Sequence, residues 1–253
     1  MVFMSGQPVL LTISVSHYCE KARWALDRAG IAYDERRYLP AVHRAMIRRH
    51  GALTTPVLIG DEVGTLRESA DIVEYADARG GRIVCDDPEA RGLADAYDDR
   101  LGPATRLWIY HALLGRPSLT TGAITAGVSD WQKTLWRFGH RPIAFAVTKV
   151  LKIDDATAVE AERTFRAIFA DVDERLADGR PYLAGDAFSI ADLTFAALAA
   201  PLIGPAEYAV PLPLVEDLPP RTADVVREHR ETPAGRHALK MFATERGRVA
   251  ATA

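Results

Sequence analysis

The chain has 253 residues, 48% of them hydrophobic and 26% charged, with a formal net charge of −3 at pH 7. This composition excludes a disordered chain, and the near balance of 34 acidic and 31 basic residues gives no reason to expect a nucleic-acid partner. No stretch approaches the roughly 20 apolar residues of a membrane-spanning helix, and residues 1–8 lack the pattern of a secretory signal, so we expect no membrane partner.

The first part of the chain, residues 1–83, alternates between strand and helix patterns. An apolar, β-branched run predicts a buried strand over 9–15. Apolar residues at helical spacing then predict a helix that is capped by Ser16 and ends at Gly30. Further strands are predicted over 33–39, 56–59 and 63–66, and further helices over 41–50 and 68–79. The order βαβαββα indicates a parallel βαβ unit followed by an antiparallel hairpin.

Three short motifs occur within this unit. They are Ser-His-Tyr-Cys-Glu-Lys-Ala-Arg at 16–23, Thr-Thr-Pro-Val-Leu at 54–58 and Glu-Ser-Ala-Asp-Ile at 68–72. In this order and spacing they resemble the thioredoxin-like N-terminal domain of cytosolic glutathione transferases. The resemblance implies a fold of class α/β plus all-α, with a thioredoxin-like, glutathione-binding domain over 1–83 and an all-helical, electrophile-binding domain over 84–253. It also implies a homodimer.

Two residues of the first motif are candidate catalytic residues. The resemblance makes Ser16 the residue that contacts the glutathione sulfur, where a hydroxyl and the helix N-terminus stabilise a thiolate. Ser16 is also a natural helix cap, and both roles can coexist. Cys19 stands one turn into the helix, where its thiol either packs in the core, the usual state of a free cysteine, or takes part in mixed-disulfide chemistry.

The other motifs supply the candidate glutathione-binding residues. The resemblance implies that Pro56 follows a cis peptide bond and that the backbone of Thr55 pairs with the cysteinyl part of the tripeptide. Glu68 and Ser69, at a helix N-terminus, would hold the γ-glutamyl carboxylate, although a capped helix with an ordinary salt bridge gives the same pattern. We expect His17 to be exposed and to assist binding.

The chain departs from the family pattern before the proline motif. Many members carry Lys or Gln there to bind the glycine carboxylate, whereas this chain has Thr54. His43 or Arg44 on the preceding helix could replace that residue, or nothing does. The physiological thiol is therefore glutathione or a different low-molecular-weight thiol.

Only helix patterns follow residue 83. Helices are predicted over 89–115, 121–150, 155–178, 189–203 and 232–247, with a proline-rich crossing loop over 201–220. Ser189 and Asp192 have the spacing of a capping box, and Phe188 with Leu193 that of a hydrophobic staple. The family carries the same box, whose role is folding, so we do not expect Asp192 to be catalytic.

An aromatic stretch over 131–153 matches nothing in the family pattern. Trp131, Leu135, Trp136 and Phe138 have helical spacing, which is more typical of a core or an interface than of an acceptor pocket. The apolar part over 144–153 is far too short to span a bilayer.

The sequence therefore predicts a glutathione transferase that activates a thiol for attack on a small apolar electrophile, with no metal and with glutathione as co-substrate. Two alternatives remain, which are thiol-disulfide or glutathionyl exchange through Cys19 and a non-enzymatic protein that binds a ligand or a protein partner. Two cysteines are too few for a disulfide framework, which favours a reducing cytoplasm. Frequent alanine, and only 5 lysines among 31 basic residues, fit a GC-rich bacterial genome. The family resemblance implies detoxification as the role.

Overall fold

A computed structural model describes residues 6–247, so residues 1–5 and 248–253 of the predicted domains lie outside the described residues. Within that range one sheet has four strands, which are β1 (Val9–Ile13), β2 (Asp34–Tyr38), β3 (Val57–Gly60) and β4 (Gly64–Leu66). They lie in the order β2-β1-β3-β4. Strand β1 is parallel to β2 and antiparallel to β3, and β3 is antiparallel to β4. The predicted parallel unit and hairpin are confirmed.

Three helices complete the βαβαββα unit, and they are α1 (His17–Arg28), α2 (Val42–Arg48) and α3 (Ser69–Ala76). Ser16 caps α1 as predicted, because its side chain accepts a hydrogen bond from the Cys19 backbone N–H. The connection after α1 turns at Gly30, whose φ of +65° is in the left-handed region that glycine adopts without strain.

The remainder of the described chain is helical. Its α-helices are α4 (Pro88–Ala96), α5 (Gly102–Leu113), α6 (Pro117–Thr125), α7 (Asp130–Leu151), α8 (Asp155–Leu176), α9 (Ile190–Ile203), α10 (Pro220–Glu231) and α11 (Pro233–Glu245). Over residues 84–247, strand pairing is confined to isolated bridges. Nearly every residue of α9 is buried, so this helix, apolar on all sides, is the centre of the helical part. None of the described helices is long and apolar enough to span a bilayer.

The helices predicted from the sequence differ from the structure in two places. The single helix predicted over 121–150 is wrong, since α6 and α7 are separated by Gly127, whose φ of +72° breaks the helix. The helix α10 was not predicted, because proline-rich sequence leads directly into it. Proline is tolerated in the first turn of a helix, where its missing N–H has no intrahelical partner, and Pro220 occupies that turn in α10.

Helix α1 is fixed against the helical part by polar contacts at its N-terminal half. The Tyr18 hydroxyl donates to the Asp98 carbonyl at 2.7 Å, and the buried Lys21 ammonium pairs with the Asp98 carboxylate at 2.6 Å. The His17 Nε2 lies 2.9 Å from the Gly102 carbonyl oxygen. These contacts hold Ser16, which precedes α1, in a fixed position relative to α5.

Close approach at Gly102 makes the first testable prediction. A Cβ at this position would lie 2.2 Å from the Tyr18 hydroxyl oxygen, so either the Tyr18 side chain or the two helices must shift in Gly102→Ala. We expect the free energy of unfolding, measured by urea denaturation, to fall by about 1–3 kcal/mol, as for other overpacked contacts. Gly92→Ala is the matched control, because no atom lies within 4 Å of its added Cβ. Equal denaturation midpoints for the two variants would contradict the close packing of α1 on α5.

Candidate active site

Ser16 lies between β1 and the first turn of α1. Its backbone is extended, with φ −73° and ψ 121°, and its hydroxyl oxygen accepts from the Cys19 N–H at 3.4 Å. The side chain is half-buried, and within residues 6–247 its own O–H donates to no acceptor. A free hydroxyl donor at the positive end of a helix can stabilise an anion that approaches from outside.

The structure brings Cys19 together with Ser16 and Thr55. Its N–H donates to the Ser16 hydroxyl oxygen, and the hydroxyls of Ser16 and Thr55 favour the charged form of its thiol, although neither forms a hydrogen bond to the sulfur within residues 6–247. Cys19 is completely buried and is not in a disulfide. Burial raises the pKa of the thiol, and this effect outweighs the opposing influence of the Arg23 charge and of the two hydroxyls. The environment is that of a packed structural cysteine, and a catalytic role for Cys19 stays a prediction.

The segment before β3 has the local geometry that its motif implies. The Thr55–Pro56 peptide bond is cis. Both residues are buried, whereas Thr54 is exposed. Thr55 lies just beyond the last pair of the β1–β3 ladder, Leu11 with Val57, so its backbone is placed at the open end of the ladder.

Glu68 and Ser69 form the start of α3. Glu68 is the capping residue, with an extended backbone and no side-chain capping bond, and its side chain is exposed. Burial of part of the carboxyl, with the nearby Asp71 and Asp98 charges, raises the pKa of Glu68. Ser69 is buried at the first position of the helix. The first-turn N–H groups of α3 have no intrahelical partners and can bind a carboxylate.

The expectation that His17 is exposed is wrong. Its side chain is 3% exposed because it packs between Tyr18 and α5, with the Gly102 carbonyl as hydrogen-bond partner. Burial, aided by the Arg106 charge, lowers the pKa of His17 to about 3, so the imidazole is neutral at pH 7. A binding role for His17 stays a prediction; its observed contact ties α1 to α5.

An apolar cavity lies beside the N-terminus of α1. Val15, the residue before Ser16, lines it together with Ile109, Tyr110, Ile124 and Tyr208. The Tyr208 hydroxyl donates to the Val15 carbonyl at 3.0 Å. Ser16 and the cavity are therefore neighbours along the chain.

Two residues of α5 were not predicted from the sequence. Tyr110 lines this cavity, and Arg106, one helical turn earlier, lies close enough to His17 for its charge to act on the imidazole. Their spacing from Gly102, four and eight residues, places them on one helix face, but only the contact with α1 shows which way that face points. Arg106 is half-buried and forms no ion pair within residues 6–247. The Tyr110 hydroxyl has no hydrogen-bond partner in the same range, and burial raises its pKa.

The four residues predicted to share a helix face in the stretch over 131–153 do not line the cavity, to which this stretch contributes Val147. Trp136 is buried in a small core with Leu39, Ile124 and Val128, as the core interpretation predicts. Trp131, Leu135 and Phe138 are exposed, and none of them lines the cavity. Over residues 6–247 no group of three His, Cys, Asp or Glu side chains could hold a metal ion.

Comparisons with known proteins agree with this geometry. Residues 10–82 match the family described as "Glutathione S-transferase, N-terminal domain", and residues 135–210 match "Glutathione S-transferase, C-terminal domain". No curated protein matches the chain.

Solved structures with low sequence identity share the fold. A glutathione transferase of Phanerochaete chrysosporium is 15% identical with a TM-score of 0.63, over 95% of this chain and 97% of its own. A glutathione S-transferase of Ceriporiopsis subvermispora, solved in complex with glutathione, is 19% identical with a TM-score of 0.58, over 95% and 98%. The beta-etherase LigF of Sphingobium is 18% identical with a TM-score of 0.56, over 93% and 99%.

Proposed function

The chain belongs to the cytosolic glutathione S-transferase superfamily, and we propose that it binds glutathione or a related thiol and directs the sulfur toward Ser16 for attack on an apolar electrophile. The observation that carries the proposal is the adjacency of two features. The free hydroxyl donor of Ser16 stands at the N-terminus of α1, and Val15 beside it lines the apolar cavity.

The thiol side of the site is argued from the N-terminal domain. An extended tripeptide would pair with the backbone of Thr55 at the end of the β1–β3 ladder, as a strand does. Its γ-glutamyl carboxylate would bind the N–H groups and the Ser69 hydroxyl at the start of α3. This orientation supports delivery of the sulfur to Ser16. A relative that was solved with glutathione supports a thiol as the ligand.

Ser16 would act on the acidity of the bound thiol. A free thiol has a pKa of about 8.5, so only a few per cent is ionised at neutral pH. A downward shift of about two units requires about 2.7 kcal/mol of preferential thiolate stabilisation, which a charge-assisted hydrogen bond and a helix N-terminus can supply. The thiol proton passes to water, the sulfur forms a bond to an electrophilic carbon, and a leaving group departs with the electron pair of its broken bond.

The electrophile would occupy the apolar cavity. Aliphatic and aromatic side chains form most of its wall, which suits a small apolar compound. Tyr110 brings a hydroxyl to this wall. Because burial raises the pKa of this phenol, the group stays protonated and can donate a hydrogen bond to an oxygen atom of the electrophile. Positioning the two reactants is then the main source of rate acceleration.

Thr54 favours a second candidate function, that of a non-enzymatic binding protein. Its exposed side chain stands where many relatives have Lys or Gln, and it brings no charge to the glycine carboxylate. His43 is half-buried, and burial lowers its pKa to about 4, so it is a weak replacement as a cation, whereas Arg44 is exposed. The experiment below therefore also tests which thiol the protein binds.

We also propose the two-domain division at residues 83 and 84, a homodimer and a reducing bacterial cytoplasm, with detoxification as the role. Both cysteines are free and buried, which suits a reducing compartment.

Stabilisation by the thiol is the most direct test. At a hundred times its dissociation constant, a ligand that binds only the folded state stabilises it by about 2.7 kcal/mol. We expect thermal unfolding in the presence of glutathione to show such a shift, and Ser69→Ala to need about tenfold more glutathione, because one hydroxyl contact to a carboxylate is lost.

Thr65→Ala, at a half-buried position of β4, controls for a general effect of losing a hydroxyl. If glutathione and other cellular thiols all leave the unfolding temperature unchanged, the binding-protein candidate replaces the transferase.

A further inference from the structure

Helix α7 carries an apolar stripe that faces away from the rest of the protein. Trp131, Leu135, Phe138 and Phe145 form this outer stripe, with side chains that are 58%, 41%, 78% and 64% exposed. Their spacing of four, three and seven residues places them on one side of the helix. Exposed apolar residues are ordinary when scattered, but a continuous row of large ones marks a contact surface.

The opposite side of α7 holds the helix on the protein. Trp136 is 3% exposed and packs against Leu39 and Val128. The Gln132 side chain accepts from the Leu39 N–H at 2.9 Å and donates to the Arg37 carbonyl at 3.2 Å. Since this inner side supplies the anchoring contacts, the outer stripe has no folding role that would explain it.

The charge around the stripe has a single sign. Residues 131–153 contain five Lys or Arg and no Asp or Glu, although the whole chain has a net charge of −3. Three of the five lysines of the chain lie in this segment. Two of the cations stand close to the aromatic rings, with Arg137 at 5.5 Å from the Phe138 ring centre and Lys149 at 5.6 Å from that of Phe145.

Most of these cations are available to a partner. Within residues 6–247, Lys133 pairs with Asp130, whereas Arg137, Arg141 and Lys149 are exposed and form no ion pair. Arg141 follows Phe138 by three residues and precedes Phe145 by four, so it lies beside the outer stripe. The surface thus presents large apolar side chains next to unpaired positive charge.

We infer that the outer stripe of α7 docks the protein on the surface of a bilayer that contains anionic lipids. Aromatic and aliphatic side chains enter the headgroup boundary, and the flanking cations bind lipid phosphates, as in helices that lie in the membrane plane. Charge complementarity favours this occupant over a second copy, because two-fold pairing of the stripe with itself would oppose cations to cations. The inference differs from the expectation that the chain has no membrane partner, and the experiments below decide between the two.

Docking through this helix would also bring the cavity close to the lipid. Val147, on the inner side of α7, lines the apolar cavity. If the proposed function holds, on which this step rests, apolar electrophiles dissolved in the bilayer are the substrate class nearest to the site.

Tryptophan fluorescence of the full chain tests the docking without any variant. Trp131 is the one exposed tryptophan, since Trp24, Trp108 and Trp136 are 0%, 6% and 3% exposed. Its emission should shift to the blue when vesicles of phosphatidylcholine and phosphatidylglycerol are added, and not with phosphatidylcholine alone. No shift with the anionic vesicles would overturn the inference.

Variants then assign the binding surface. We expect the affinity for anionic vesicles, measured by co-sedimentation, to fall about a hundredfold in the triple variant Leu135→Ser/Phe138→Ser/Phe145→Ser. The triple variant Arg137→Gln/Arg141→Gln/Lys149→Gln should lose a similar share of its vesicle affinity. The control Val159→Ser/Leu214→Ser, which removes exposed apolar residues outside α7, should bind like the parent. Circular dichroism checks that the variants are folded.

The outcomes separate docking from catalysis. Because none of the three stripe residues lines the cavity, their variant should conjugate a water-soluble electrophile at the parent rate. Unchanged vesicle binding in the stripe variant would overturn the inference. A second copy would instead be the partner if the parent self-associates in sedimentation velocity, the stripe variant does not, and the parent does not bind vesicles. That combination would also overturn the inference.

Discussion

Replacing Ser16 by Ala is expected to lower kcat/KM for conjugation about a hundredfold at neutral pH. The hydroxyl would stabilise the thiolate relative to the thiol, and losing about two pKa units of that stabilisation costs about 2.7 kcal/mol, which corresponds to this factor in rate. The bound thiol should titrate correspondingly higher in Ser16→Ala, as measured by the ultraviolet absorbance of the thiolate against pH. Glutathione binding, which in the proposed function depends mainly on Thr55 and α3, should weaken far less than turnover.

Cys19→Ala is the matched control for this experiment. Its backbone N–H donates to the Ser16 hydroxyl oxygen, but its side chain is completely buried, and burial raises the pKa of its thiol. We expect conjugation to persist, with some loss of stability from the removed sulfur. The reverse pattern, with turnover kept in Ser16→Ala and lost in Cys19→Ala, would reject conjugation and favour exchange through the cysteine.

The elements of the fold that depend on local pattern were predictable from the sequence. The β1–α1 connection carries its own signals in an apolar strand, a capping serine and a terminating glycine, and all three stand where predicted. The division between α6 and α7 was missed because it depends on one glycine, Gly127, where a Cβ would lie 2.7 Å from an atom of the Arg37 side chain. That contact joins positions 90 residues apart in number, which no local pattern shows.

The candidate site likewise contains residues that local patterns predict and residues that they do not. Ser16, Thr55 and Ser69 are recognisable because each stands at a helix or strand terminus within a short motif. The burial of His17 could not be foreseen, since it results from the approach of α5. The positions of Arg106 near His17 and of Tyr110 in the cavity wall could not be foreseen for the same reason. The exposure of the outer stripe of α7 could not be predicted for the same reason, because helical spacing shows which residues share a face but not what covers that face.

The capping box at the start of α9 is a local motif whose contribution to stability is increased by contacts with residues distant in sequence. The Asp192 carboxylate is fully buried and accepts four hydrogen bonds within its surroundings. One oxygen accepts from the Ser189 N–H and hydroxyl, at 3.1 and 2.6 Å. The other accepts from the Leu183 N–H at 2.8 Å and lies 2.9 Å from His237 Nε2 on α11. The sequence predicted the first pair and could not predict the second.

Asp192→Ala is therefore expected to lower the free energy of unfolding by about 3–5 kcal/mol, because it leaves buried donors on Leu183, Ser189 and His237 without an acceptor. Urea denaturation measures the loss, and Asp186→Ala, an exposed position in the same connection, should unfold like the parent. Ser189→Ala should lose about 1–2 kcal/mol, the value of one helix cap. Since α9 acts on folding, the Asp192→Ala fraction that remains folded should turn over at the parent rate. A variant that unfolds like the parent but has lost turnover would instead place Asp192 in the chemistry.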